Sequence, residues 1–110
     1  MVDYNFTELD ISDLELTNLP DDIDKHTKLK NLYCYGNQLT NLDNLPPNLQ
    51  ELNCDCNQLT NLDNLPQLFK LRCCDNNITS LDYLPHSLRY LVCDYDKLLN
   101  YDNLPPYLCY

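Results

Sequence analysis

The chain has 110 residues, a length that suits one small domain. Its formal net charge of −10, from 17 acidic against 7 basic side chains, argues against nucleic acid and anionic membrane as partners, since both call for clustered Lys and Arg. No run of about 18 apolar residues occurs, so no membrane span is expected.

The opening Met1-Val2-Asp3-Tyr4-Asn5-Phe6 has neither a basic nor an apolar leader region, so no signal peptide is expected. Seven cysteines without such a leader point to reduced thiols and a cytoplasmic, reducing compartment. Sequons at Asn5 and Asn77 would matter only in a secreted chain. Ala is absent, Gly occurs once and Asn fifteen times, a composition that suggests AT-rich codons.

The chain repeats itself. With the first apolar anchor of each unit as position 1, Phe6, Leu29, Leu49, Leu68, Leu88 and Leu108 recur at steps of 23, 20, 19, 20 and 20 residues. Units then span 6–28, 29–48, 49–67, 68–87 and 88–107, with an incomplete sixth at 108–110, inside a single domain of 1–110. Position 4 is Leu9, Leu32, Leu52, Leu71 and Leu91. Position 6 is Ile11, then Cys34, Cys54, Cys73 and Cys93, and position 11 is Leu16, Leu39, Leu59, Ile78 and Leu98. The following anchor is Leu19, Leu42, Leu62 and Leu81, replaced by Tyr101 in the fifth unit.

Alternation of positions 4 and 6 predicts a short strand that points them inward and positions 3 and 5 outward. Leu-Pro pairs ending at Pro46, Pro66, Pro85 and Pro105 close the last four turns. Proline fixes φ and cannot donate to a ladder, so the return segments should be extended and free of long helix. Only the longer first unit has room for one helical turn, near Asp24-Lys25-His26-Thr27. The four cysteines at position 6 serve as small hydrophobes in an inward column. At position 9, the amides of Asn37, Asn57 and Asn76 can both donate and accept, and should tie successive turns together. Leu14 stands there in unit one and Asp96 in unit five, where looser order is expected.

The run from Leu49 to Leu59, L-x-x-L-x-C-x-x-N-x-L, resembles the strand signature of leucine-rich repeats. Leu45-Pro46-Pro47-Asn48-Leu49 resembles the short LPxxL class of bacterial secreted effectors. Similar Cys-, Tyr- and Asn-rich arrays occur in proteins of large amoebal viruses, which makes a viral protein in a host cytoplasm a further expectation. The resemblance covers residues 6–110. It implies an α/β-type solenoid dominated by β, a right-handed superhelix with short parallel strands on a concave face and extended or turn segments on the convex face. Effector arrays of this class act as recognition arms, sometimes fused to a ubiquitin-ligase domain. No ligase sequence is present here, so that activity does not carry over.

Function then falls to the outward positions. Tyr33, Tyr35, Asn53, Asp55, Lys70, Arg72, Tyr90, Asp94 and Tyr95 are the candidate partner-binding residues, because Tyr and Arg concentrate at interface hot spots. Asp10, Asp13, Asp55, Asp75 and Asp94 suggest a partner with some positive charge. Cys56 and Cys74 point outward in adjacent units as free thiols, since Cys54-Asp55-Cys56 and Cys73-Cys74 lack zinc-site spacing. His26 and His86 have no nucleophile motif beside them, and one Gly cannot make a phosphate loop. No catalysis, cofactor or metal is expected. The expected function is a protein–protein interaction scaffold that binds a partner through its concave face. The alternative is a structural or assembly protein, a homodimer joined through an uncapped C-terminal repeat around Pro105-Pro106-Tyr107-Leu108.

Overall fold

The computed structural model describes residues 3–99, 104–106 and 108. Five three-residue strands, β1 (Glu8–Asp10), β2 (Asn31–Tyr33), β3 (Glu51–Asn53), β4 (Lys70–Arg72) and β5 (Tyr90–Val92), form one parallel sheet in chain order. Every pairing keeps the repeat in register, so Leu9, Leu32, Leu52, Leu71 and Leu91 stand directly opposite one another. The architecture is therefore a parallel β-solenoid with almost no helix. Two single 3₁₀ turns, Ile23–Lys25 and Tyr95–Lys97, are the only helical segments among the described residues. The first falls where the extra length of unit one made room for it. Among the described residues, no helix is long and apolar enough to cross a membrane.

The core is a set of columns, one per repeat position. Leu29, Leu49, Leu68 and Leu88 are fully enclosed, as are Leu32, Leu52 and Leu71 from position 4. Each such side chain contributes about 1.5–3 kcal/mol by leaving water. Cys34, Cys54 and Cys73 fill the position-6 column between them, and burial alone pushes the Cys34 thiol up to about 12. Cys93, the expected fourth member, is only half-buried. It directly follows β5, whose outer edge pairs with no strand among the described residues.

Unit one also departs from the pattern. Phe6, its expected inward anchor, is 47% exposed, while Leu9, Ile11, Leu16 and Leu19 are only partly buried. Neighbouring units cover one another, and β1 is an edge strand, so among the described residues no unit stacks on one flank of this one. Phe6 instead stacks on His26 at 6.3 Å, and Tyr4 meets the same ring edge-on at 5.0 Å. Between them they bury His26 to 6% exposure.

Asn37, Asn57 and Asn76 are buried, and each reaches back into the preceding unit. The Asn57 Oδ1 accepts from the Leu39 N–H at 3.0 Å, while its Nδ2 donates to the carbonyls of Cys34 and Cys54 at 3.0 and 3.1 Å. Asn76 repeats this one unit later with Leu59 N–H and the Cys54 and Cys73 carbonyls. Asn37 does the same for Leu16, Ile11 and Cys34, and adds the Leu14 N–H. Leu14 stands in the first unit, and among the described residues no earlier unit stacks on it. Where Asp96 replaces the amide, the turn is rebuilt as the 3₁₀ segment Tyr95–Lys97, and the backbone bond to the unit before shifts to Leu99 N–H→Thr79 O. Tyr101 and all of the sixth unit except Leu108 lie outside the described residues.

In units two to four two left-handed residues per unit set the corners, and unit one has Asp13 and Glu15 in that region, a feature the hydrophobic pattern did not reveal. Position 8 holds Asp13, Gly36, Cys56 and Asp75, with φ between 55° and 70°. Before the Leu-Pro pair stand Asn44, Asn64 and Tyr83, with φ of 64°, 61° and 67°. Asn, Asp and Gly tolerate this region, whereas other L-residues lose roughly 1–2 kcal/mol there. Gly36 is doubly fixed, since a Cβ there would fall 2.0 Å from the Asp13 carboxylate. The Asn41 and Asn61 carboxamides each accept the N–H two residues on, closing the turns that lead into Asn44 and Asn64.

Two stability measurements check this account. Asn57→Ala strands the buried Leu39 N–H and takes one of two amide donors from each of the Cys34 and Cys54 carbonyls, so urea denaturation should show a loss of about 1–3 kcal/mol. Tyr83→Asn should raise the denaturation midpoint by about 1 kcal/mol equivalent, and Asn64→Tyr should lower it by a similar amount.

Candidate functional site

Strand geometry decides which side chains remain for a partner. Position 4 of each strand is inward, and positions 3 and 5 emerge on the outer face of the sheet. Tyr33, Asn53, Lys70 and Arg72 come together there with Glu51 and Leu52 around a cleft of about 120 Å³. Two shallower hollows of about 310 and 370 Å³ lie on the return turns, the first lined by Asn41, Asp43 and Asn44, the second by Asp82, Tyr83 and His86. Those of the first are largely the turn residues just described, already employed in shaping the backbone.

Around the cleft, charges are held by neighbours. The Tyr33 hydroxyl donates to the Glu8 carboxylate, and that bond, with burial and the charges of Glu8, Glu51 and Asp10, raises the phenol pKa. The Asp55 carboxylate accepts from Arg72 Nε at 3.1 Å and from the Cys74 N–H at 2.7 Å. This Arg72–Asp55 pair joins a guanidinium 44% exposed to a carboxylate 14% exposed. Screening by solvent keeps its stability contribution below about 1 kcal/mol, so its main effect is to orient Arg72. The Lys70 side chain is exposed, and its amine forms no ion pair or hydrogen bond among the described residues. Asn53 spends its Oδ1 on the Asp55 N–H.

The remaining candidates are distributed more widely. Tyr35 is half-buried just after β2, its carbonyl bonded to the Asp13 N–H. Tyr90, 45% exposed on β5, packs edge-on against Phe69 at 5.3 Å. Asp94 accepts from the Asp75 N–H at 2.6 Å and pairs with Lys97 at 3.4 Å. Tyr95 sits in the second 3₁₀ turn, where its hydroxyl donates to the Leu91 carbonyl. Asp94 and Tyr95 therefore lie in the terminal turn rather than around the cleft.

The aspartate row has a different occupation from the one expected. Asp10 is held by the Ser12 hydroxyl and N–H, which lower its pKa. Asp55 accepts a backbone N–H from the following unit and Asp94 one from the preceding unit, and the Asp75 carboxylate receives the Cys56 thiol at 3.5 Å. Cys56 and Cys74 are free. Burial and the Asp75 carboxylate raise the Cys56 pKa, and burial with Asp55 and Asp94 raises that of Cys74. Among the described residues no three His, Cys, Asp or Glu side chains gather as a metal site would require. Glu51 and Phe69 were absent from the candidate residues. Glu51 could have been found from its outward position 3, but Phe69 occupies position 2, which carried no expectation.

Residues 27–67 match the family described as Leucine Rich repeats (2 copies). Among solved structures, the chain is similar to the leucine-rich repeat domain of a Shigella effector, at 31% identity and a TM-score of 0.55. That likeness covers 78% of this chain and 48% of the other, so the present chain spans about half of that structure. No curated protein matches the sequence. Leucine-rich repeat domains are in general non-catalytic scaffolds that bind other proteins. The in-register columns, the asparagine bridges and these likenesses together make this chain a leucine-rich repeat protein that resembles bacterial effector arrays.

Proposed function

We propose that the protein is a scaffold that receives a partner protein on the outer face of its sheet, the face taken from the sequence to be concave. The observation that carries this reading is the cleft between Tyr33, Glu51, Asn53, Lys70 and Arg72. Its side chains lie outside the core columns, and an oriented Arg beside a half-buried Tyr is the chemistry of interface hot spots. The family's general role in protein binding supports it. Unpaired buried thiols at Cys34, Cys54 and Cys73 suit a reducing compartment such as the cytoplasm.

A second reading, self-association through the C-terminal end, is favoured by a specific feature. The outer edge of β5 is unpaired among the described residues, with Val92 36% and Leu99 82% exposed nearby. Unpaired edges invite strand addition from another chain.

Affinity capture from a lysate, followed by binding measurements on the captured protein, tests the first reading. Tyr33→Ala with Arg72→Ala should weaken binding at least about tenfold, while Asp63→Ala on the return turn should leave it unchanged. Equal loss from both variants, or from neither, would remove the sheet face from the account. For the second reading, light scattering should report a mass that doubles with rising concentration, and Val92→Lys should hold it at the monomer value.

A further inference from the structure

The outer face carries an ordered sequence of charges along the array. Unit one presents Glu8 and Asp10, both exposed, on β1. Unit four presents Lys70 and Arg72, two of the seven basic residues in a chain of net charge −10. Beyond them, and continuous with them, Phe69, Tyr90 and Val92 leave 47%, 45% and 36% of their surfaces open. Across the strands the order is therefore acidic on β1, neutral on β2, one carboxylate (Glu51) beside Lys70 on β3, then basic on β4 and apolar on β5.

The basic pair is built to receive a carboxylate. Asp55 holds Arg72 through Nε alone, so the two Nη groups have no partner among the described residues. A guanidinium fixed on one edge presents its remaining donors with little ordering left to lose. The Lys70 amine stands two residues before it on the same strand face, also without a partner among the described residues. The aspartates that would have advertised a purely cationic ligand are meanwhile engaged in the turns.

We propose that this face binds an extended partner segment carrying a basic residue, an acidic residue about four positions later, and an aromatic or large aliphatic residue two positions beyond the acidic one, so that all three point to the sheet. The inference rests on the scaffold reading above and adds the chemistry of the occupant. Its spacing follows from geometry. Strands stand about 4.8 Å apart, so three steps from β1 to β4 cover about 14 Å, the span of about four extended residues. The basic residue lies over Glu8 and Asp10, the carboxylate meets Lys70 and the Nη groups of Arg72, and the apolar residue covers Tyr90 and Val92. Opposite charges placed in this order set the register and exclude a segment with the charges exchanged.

Nuclear magnetic resonance titration of the full chain with two synthetic peptides tests this. One is acetyl-Lys-Gly-Gly-Gly-Glu-Gly-Phe-amide; the other, acetyl-Glu-Gly-Gly-Gly-Lys-Gly-Phe-amide, exchanges the charges and keeps the composition. The first should shift amide resonances of β1 to β5 and bind at least about tenfold more tightly than the second. Lys70→Glu, which breaks no internal contact, should abolish that preference. Equal affinity of the two peptides on the sheet face would overturn the charge order while leaving the scaffold reading standing. Shifts confined to the return turns, or none at millimolar peptide, would overturn the inference as well.

Discussion

The asparagine bridge is the interaction on which the rest of this structure depends. A strand of three residues followed by a sharp turn leaves backbone groups inside the protein with no ladder to join. One carboxamide at position 9 supplies the missing partners, offering an acceptor to the unit before and donors to two strand-end carbonyls. A buried unmet N–H or carbonyl costs on the order of 1–3 kcal/mol, comparable to one leucine of the core. The bridge therefore holds each turn to its neighbour as firmly as the leucines do. Unit one, three residues longer, keeps the same bridge through Asn37, because the extra length is taken up in its return segment.

That dependence explains what could be read from the sequence and what could not. Leu32, Leu52 and Leu71, the Cys34–Cys54–Cys73 column and the structural role of Asn37, Asn57 and Asn76 were legible, because identical environments recur and impose identical residues. Cys93 and Phe6 were assigned by the same rule and deviate from it, since each belongs to a unit with a flank left open. The left-handed corners were hidden because Cys56 and Tyr83 stand where Asn, Asp or Gly would have signalled them. The occupation of Asp55 and Asp94 was equally invisible. A carboxylate at position 7 looks free within its own unit, and a neighbouring unit supplies the N–H that claims it, the next one for Asp55 and the previous one for Asp94.

The candidate site was legible only in outline. Period-two alternation placed Tyr33, Asn53, Lys70 and Arg72 on one face, and the structure gathers these four around a cleft. It also assigns Asp94 and Tyr95 to the terminal turn, where a 3₁₀ segment replaces the missing amide bridge. Scaffold and surface thus divide cleanly by position. Even positions within the strand specify the stack, and odd positions are free to differ from unit to unit.

The bridges also point one way. Asn37, Asn57 and Asn76 each bond to the unit that precedes them in the chain, and the backbone links from Gln38, Gln58 and Asn77 run in the same direction. A unit is closed off only by residues that come after it. During synthesis from the N-terminus, each repeat therefore waits about half a period for the amide that seals it, and structure follows the ribosome at a fixed lag rather than appearing all at once.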